Sequence, residues 1–286
     1  MYRPISHWSL LCVLAACASP KIPVTGVPTP IPQPTGPVPS APIGRTWSFT
    51  YTAGALSYGV SRTAKIESQS DSSSHTELSS NVTHELLNLE VAGDSVRLTA
   101  AIDTFATTTQ GLIGPAQTVK LPIQLTGSLL RDSLIIASDS IPERCNPAQS
   151  ALATDIRNLL IPFPGKLDQG ATWSDSTEVK GCQAMIPTTV SSSRSFMVAG
   201  ETTYEGQPVL AVKRMDAIRA HGEGPQQQHQ LVVDAAGTGG AVYYLNPAEG
   251  RVVHLSTEQD LSFTITASGQ VHRFKQSSKQ EFTLAR

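Results

Sequence analysis

The chain has 286 residues and a formal net charge of −2; 15% of its residues are charged and 6% aromatic. A surface so near neutral, without a basic run or basic-aromatic interleaving, excludes nucleic acid as a partner class. With few rings and abundant Ser and Thr, the core has to be built from Val, Leu, Ile and Ala.

Residues 1–16 have the three parts of an export signal: a basic Arg3, an apolar run from Trp8 to Leu14, and small residues before a cut. That run is far short of the roughly 18 apolar residues of a spanning helix, and no later segment reaches that length. Leu14-Ala15-Ala16-Cys17 resembles a bacterial lipobox. The resemblance implies cleavage between Ala16 and Cys17, a diacylglycerol on Cys17, and a membrane partner reached through that anchor. Ala18 in place of Asp implies sorting to the outer membrane, facing the periplasm or the surface. Plain secretion is the alternative, because Ala16-Cys17-Ala18 also fits an A-x-A cleavage site.

Residues 17–44 read as a tether. Nine of the twenty prolines fall here, from Pro20 to Pro42. Without amide donors at those positions neither a helix nor a central strand can form, so the segment is expected to be extended, with a reach of roughly 80 Å. A P-x-x-P ligand for a partner domain is the sharper, poorer reading.

From Arg45 onward the dominant period is two, which predicts antiparallel strands with one wet face. Leu87, Leu89 and Val91 lead through Ala92-Gly93-Asp94-Ser95 to Val96, Leu98, Ala100 and Ile102. The pattern returns at 128–130 and 134–136, at 242–245 and 252–255, and at Leu261-Phe263-Ile265 across Ser268-Gly269 towards Leu284. One helix interrupts, over about 147–160. Asn146 can cap it, Pro147 suits the first position, and Ala148, Ala151, Leu152, Ile156, Leu159 and Leu160 form a 3.6-period stripe. Such a helix should lie across a sheet face or plug the mouth of a curved sheet. The fold expected is therefore mainly β, a curved antiparallel sheet or sheets with one amphipathic helix. A short echo, Gly44 to Ser48 against Gly170 to Ser174, with Val-Ala-Gly at 91–93 and 198–200, suggests two duplicated halves, 45–145 and 170–286. On that reading Trp47 and Trp173 would be equivalent core anchors.

Four cysteines divide cleanly: Cys12 leaves with the signal, Cys17 is the anchor, and Cys145 with Cys182 are expected to form a disulfide worth roughly 3–4 kcal/mol in the chain-entropy description. A redox pair or half of a metal site is the rival, without C-x-x-C spacing to support it.

Chemistry-bearing motifs are scarce. His84-Glu85-Leu86-Leu87-Asn88 misses the zinc-protease H-E-x-x-H pattern at its second histidine and lies in a period-two segment. His221 and His229 flank Gly222-Glu223-Gly224-Pro225, a segment that reads as a hairpin loop placing His221 opposite Gln226; no metal role is assigned to them. No nucleophile elbow, P-loop or dinucleotide fingerprint occurs, no cofactor is implied, and the acidic residues fall mostly at outward or loop positions.

In outline the chain resembles lipoprotein-carrier and related lipid-binding lipoproteins with half-barrel sheets, in architecture only. The resemblance implies a non-enzymatic envelope lipoprotein that binds lipid or another hydrophobic ligand in a curved sheet groove, lined by Leu152, Ile156 and Leu159. The alternatives are a structural or envelope-protein interaction module and, behind it, a glycan or peptide hydrolase.

Overall fold

The computed structural model describes residues 44–69, 74–110, 121–130, 133–137, 146–183, 186–226 and 229–285, all within one compact unit, Ala41–Arg286. The signal with Ala16, Cys17 and nearly all of the tether lie outside the described residues, as does Cys145.

Among the described residues, thirteen strands and one helix follow in chain order: β1 (Thr46–Ser48), β2 (Gly54–Gln69), β3 (Ser74–Ala92), β4 (Ser95–Gln110), β5 (Ile123–Leu129), β6 (Leu134–Ile136), α1 (Pro147–Leu159), β7 (Lys166–Asp168), β8 (Thr172–Gln183), β9 (Ile186–Tyr204), β10 (Gln207–Gln226), β11 (His229–Asn246), β12 (Arg251–Ala267) and β13 (Gln270–Leu284). Eleven of the strands make one antiparallel sheet in the order β6-β5-β4-β3-β2-β13-β12-β11-β10-β9-β8, while β1 and β7 form a separate ribbon. The chain meanders outward from β2 to β6, crosses through α1 to the opposite edge, and meanders back to β13, which pairs with β2. Helix α1 packs on β4 and β5 towards one edge and on β8 at the other, so the sheet curls around it as a half-barrel.

Turn chemistry sets the hairpins. The tight turns Glu205-Gly206 and Ser268-Gly269 have both central residues at positive φ, the geometry that matches strand twist. The expected hairpins at 92–95, 246–250 and 268–269 are all present. The one expected at 222–225 is not. β10 runs straight through to Gln226, and His221 faces Asp234 instead of Gln226. Gly222 is small because the neighbouring strand is close: a Cβ there would lie 2.4 Å from the Pro187 carbonyl oxygen. Gly222 thus marks a close approach of two strands and not a turn.

The two segments of the echo lie on different elements, although Trp47 and Trp173 both pack against the main core. Trp47 sits on the ribbon opposite Leu167, whereas Trp173 sits on edge strand β8 opposite Phe196. The first Val-Ala-Gly leads into a turn; the second lies inside β9, where Ala199 is the extra residue of a bulge before Gly200 at φ 110°. Both halves belong to one continuous sheet.

Helix α1 begins as expected: the Asn146 side chain accepts from the Gln149 amide and Pro147 follows. It is enclosed on more than its stripe. Ala153, Asp155 and Asn158 are buried together with Leu152, Ile156 and Leu159. Below the helix end, the Tyr51 hydroxyl accepts from the Ile161 amide at 3.1 Å, and Phe49, Tyr51 and Phe163 pack edge to face.

Close approach also governs Gly237, where a Cβ would lie 2.0 Å from the Asp260 carbonyl oxygen. Gly237→Ala is expected to cost about 1–3 kcal/mol by forcing β11 and β12 apart, a Tm fall of about 3–10 °C. Gly59→Ala, whose added Cβ meets nothing within 4 Å, should leave the Tm unchanged; thermal melts of the two variants check the contrast.

Candidate functional site: a concave trough over a charged floor

Period two puts alternate residues of each strand on the concave face. On β2 that row is Leu56, Tyr58, Val60 and then Arg62; on β10 it is Leu210, Val212, Arg214, Asp216 and Ile218; on β9 it is Val198, Phe196 and then Arg194. The apolar rows are thus interrupted by arginines at one level of the sheet, and all three reach the second half of α1. Arg62 pairs with Asp155 and, at 3.0 Å, with Glu85. Arg214 donates to Asn158 at 3.1 Å and to the Tyr243 hydroxyl. Arg194 is held by Asp175 through two bonds of 2.7 and 2.5 Å and reaches the Arg157 carbonyl at 3.5 Å. Gln280 on β13 donates to Asp155 at 2.5 Å.

Seven ionisable groups therefore meet in this belt: Arg62, Arg194 and Arg214 with Glu85, Asp155, Asp175 and Asp216. Burial, with the Asp155 carboxylate beside it, pushes the Glu85 carboxyl up to about 9, against which Arg62 pulls less strongly. Burial thus favours the neutral form of the Glu85 carboxyl in the folded belt. Glu85 lies in hydrogen-bond reach of the Asp155 carboxyl, whereas Asp216 Oδ1 lacks an aligned hydrogen bond and has only a charge contact with Arg214 Nε at 2.9 Å.

The belt divides the apolar surface of the concave face. On one side lies the main core, from Phe49 and Leu56 to Leu255 and Phe282. On the other lies a second cluster of Ile186, Leu231, Val233, Ala235 and Phe263, with Leu261, Ile265 and Phe274 packed against it but only half-buried. Ala64, Ile66, Gln276 and Ser278 continue this half-buried surface on β2 and β13. The concave face beyond the belt is a trough with an apolar wall and a charged floor. Two shallow grooves of about 510 and 410 Å³ include no belt residue, and the larger takes in Ala64 and Ser278.

Leu152, Ile156 and Leu159, expected to line a groove, are 0–1% exposed and belong to the main core. Enclosure of the helix by both sheet edges packs that interface solid, so the accessible trough is displaced to the far side of the belt. His221 and His229 do not meet: His221 bonds Asp234 at 2.7 Å and His229 bonds Ser268 at 2.8 Å. His84 is on a strand, as its period implied. Among the described residues no three His, Cys, Asp or Glu side chains gather to hold a metal ion. Cys182 lies half-buried on β8.

The belt residues were missed in the sequence, although a signal existed. Arg62, Arg194, Arg214, Glu85 and Asp216 each occupy an inward register position, where an alternating strand should carry an apolar side chain. The acidic residues are therefore not confined to outward and loop positions.

No family model and no curated protein matches the chain. Among solved structures, DynF from the dynemicin pathway of Micromonospora chersina is 8% identical at a TM-score of 0.25, covering 89% of this chain and 92% of that one. Pseudomonas aeruginosa OccK2 is 6% identical at 0.28, covering 82% and 99%, and Pseudomonas putida OprB is 6% identical at 0.23, covering 81% and 94%. Likeness at this level assigns the chain to none of them.

The raised Glu85 carboxyl makes stability fall with pH. Below about 4.5, its ordinary value, both folded and unfolded states hold the proton; between there and about 9 only the folded state does, so stability is progressively lost as pH rises. Glu85→Gln, which needs no proton, should match the native Tm near pH 4.5 and exceed it at pH 8 by at least about 2–4 °C, the shift of 1 kcal/mol in a chain of this size. Melting curves across that range check the sign.

Proposed function

We propose that this protein is a cell-envelope lipoprotein that holds an amphiphile in the concave trough, its apolar chain on the second cluster and its polar end at the belt. The observation that carries this reading is the juxtaposition of a half-buried apolar surface with a buried polar floor in which Asp216 Oδ1 has no aligned hydrogen bond. Buried polar atoms are otherwise nearly always satisfied, so a headgroup bearing a donor or acceptor has a place to bind. The apolar wall supplies the larger share of affinity, at ~0.8 kcal/mol per methylene removed from water. Native mass spectrometry of the protein extracted from membranes should show a co-purified lipid-sized mass. Phe274→Asp, which charges the wall without touching the belt, should abolish it along with uptake of a fluorescent fatty-acid probe. Equal probe uptake by the native protein and the variant would overturn the reading.

The envelope location rests on the lipobox resemblance of Leu14 to Cys17 and on the proline-rich tether. The Cys145–Cys182 disulfide belongs to the same proposal. Cys145 directly precedes the Asn146 cap, and Ser150 in the first turn of α1 lies 3.6 Å from the Cβ position of Gly181, the neighbour of Cys182. The helix start is thus beside the right strand. Peptide mass mapping of membrane-extracted protein should find an acylated Cys17 at the N-terminus and a linked Cys145–Cys182 peptide. An unmodified N-terminus would remove the anchor, and two thiols alkylated without prior reduction would remove the bridge.

A further inference from the structure

The strands that carry the belt inward carry a second constellation outward. On β3, Glu85 points into the belt, so its neighbour His84 points away from it. His84 Nε2 lies 2.6 Å from Ser57 Oγ on β2, and His84 Nδ1 lies 2.8 Å from Asp103 Oδ1 on β4. Asp103 is where it is because of a bulge: Glu85 pairs with Ile102 and His84 with Thr104, leaving Asp103 as the extra residue of β4. With the imidazole neutral, Nδ1–H donates to the Asp103 carboxylate and Nε2 accepts from the Ser57 hydroxyl, the role assignment of a nucleophile, base and orienter.

We infer that Ser57, His84 and Asp103 form a relay that makes Ser57 a nucleophile towards small carboxylic esters. His84 and Asp103 are each 38% exposed at the side chain, so the relay is open to solvent. Gly59, opposite His84 and two residues from Ser57, leaves the adjoining position empty, with nothing within 4 Å of where its Cβ would stand. Leu86, which faces Ser57, and Val82, two residues from His84, are 43% and 55% exposed and flank the notch with apolar surface. A short acyl chain fits that surface; a large substrate would find no cleft to enclose it.

The chemistry balances with ester and water alone. Ser57 Oγ bonds to the carbonyl carbon while its proton passes to His84 Nε2. The ester C–O bond then breaks, and the departing alkoxide takes that proton and leaves as the alcohol. Water, deprotonated by His84, attacks the acyl-serine; Ser57 Oγ recovers the proton and the carboxylic acid departs. Activation of the nucleophile is separate from stabilisation of the oxyanion, which at an open site falls largely to solvent. Acylation of Ser57, not fast turnover, is therefore the informative readout. The relay lies on the face opposite the trough, so it stands or falls independently of amphiphile binding.

The test uses the full chain with a fluorophosphonate probe and p-nitrophenyl acetate, comparing native protein with Ser57→Ala and Asp103→Asn. Native protein should be labelled on the Ser57 peptide and release p-nitrophenol about 10²-fold faster than Ser57→Ala. Asp103→Asn, which keeps the shape but removes the orienting charge, should slow labelling at least about tenfold. Melting temperatures of the variants within a few degrees of native confirm that the fold is retained. Labelling and release equal in native protein and Ser57→Ala would overturn the relay, as would unchanged labelling in Asp103→Asn.

Discussion

Three arginines projecting from three strands onto one helix hold this architecture in register. The chain has to travel from β6 at one sheet edge to β8 at the other, and α1 makes that crossing inside the curl. An apolar helix in an apolar barrel can slide and rotate at little cost, because hydrophobic contact has no direction. Arg62, Arg194 and Arg214 remove that freedom. Each guanidinium is a planar fork of fixed donors, and their targets are three different helix groups: the Asp155 carboxylate, the Arg157 carbonyl and the Asn158 amide oxygen. A buried ion pair adds little net stability over a well-packed apolar pair, since desolvation offsets most of the attraction. Its contribution here is to positioning. The raised Glu85 carboxyl fits that account: burial beside Asp155 favours its neutral form, so less charge is left buried.

The belt also decides where an accessible surface can exist. On its closed side the helix, the ribbon β1–β7 and the Phe49–Tyr51–Phe163 ring cluster fill the barrel completely. On its open side the long strands continue past the helix, and among the described residues no helix covers their inward side chains, several of which are only half-buried. Strands of 15–20 residues are longer than the helix-bearing half needs. Their extra length is what builds the trough, and Gly222 and Gly237 allow close approach to the neighbouring strands there.

Much of the fold was legible because period two and turn chemistry are local. The helix cap at Asn146, the hairpin at Gly93 and the final pair through Ser268-Gly269 all sit where the sequence reading put them. What failed needed non-local information. Gly222 and Gly224 look like a turn unless one knows that β9 presses against them. Leu152, Ile156 and Leu159 look like one face of a surface helix unless one knows that both sheet edges close on it. The belt was hidden for a related reason: an arginine in an alternating strand signals burial only after the register assigns it to the inner face.

Residue Asp103 ties the two faces together. Strand β4 alternates inward through Leu98, Ala100 and Ile102; without an insertion, Thr104 would come next and Phe105 would turn outward to water. The bulge shifts the phase by one, so that Phe105 pairs with the inward, buried Thr83 and the apolar row continues. That shift accounts for a bulge at this level of the sheet, but it places no demand on the side chain of the extra residue. Any residue that tolerates the bulge conformation would keep Phe105 inside. An aspartate there, 2.8 Å from His84, with that imidazole turned to a serine on the next strand, is therefore not explained by the inner face. It belongs to whatever the outer face does, and a Ser–His–Asp relay is the chemistry those three side chains share.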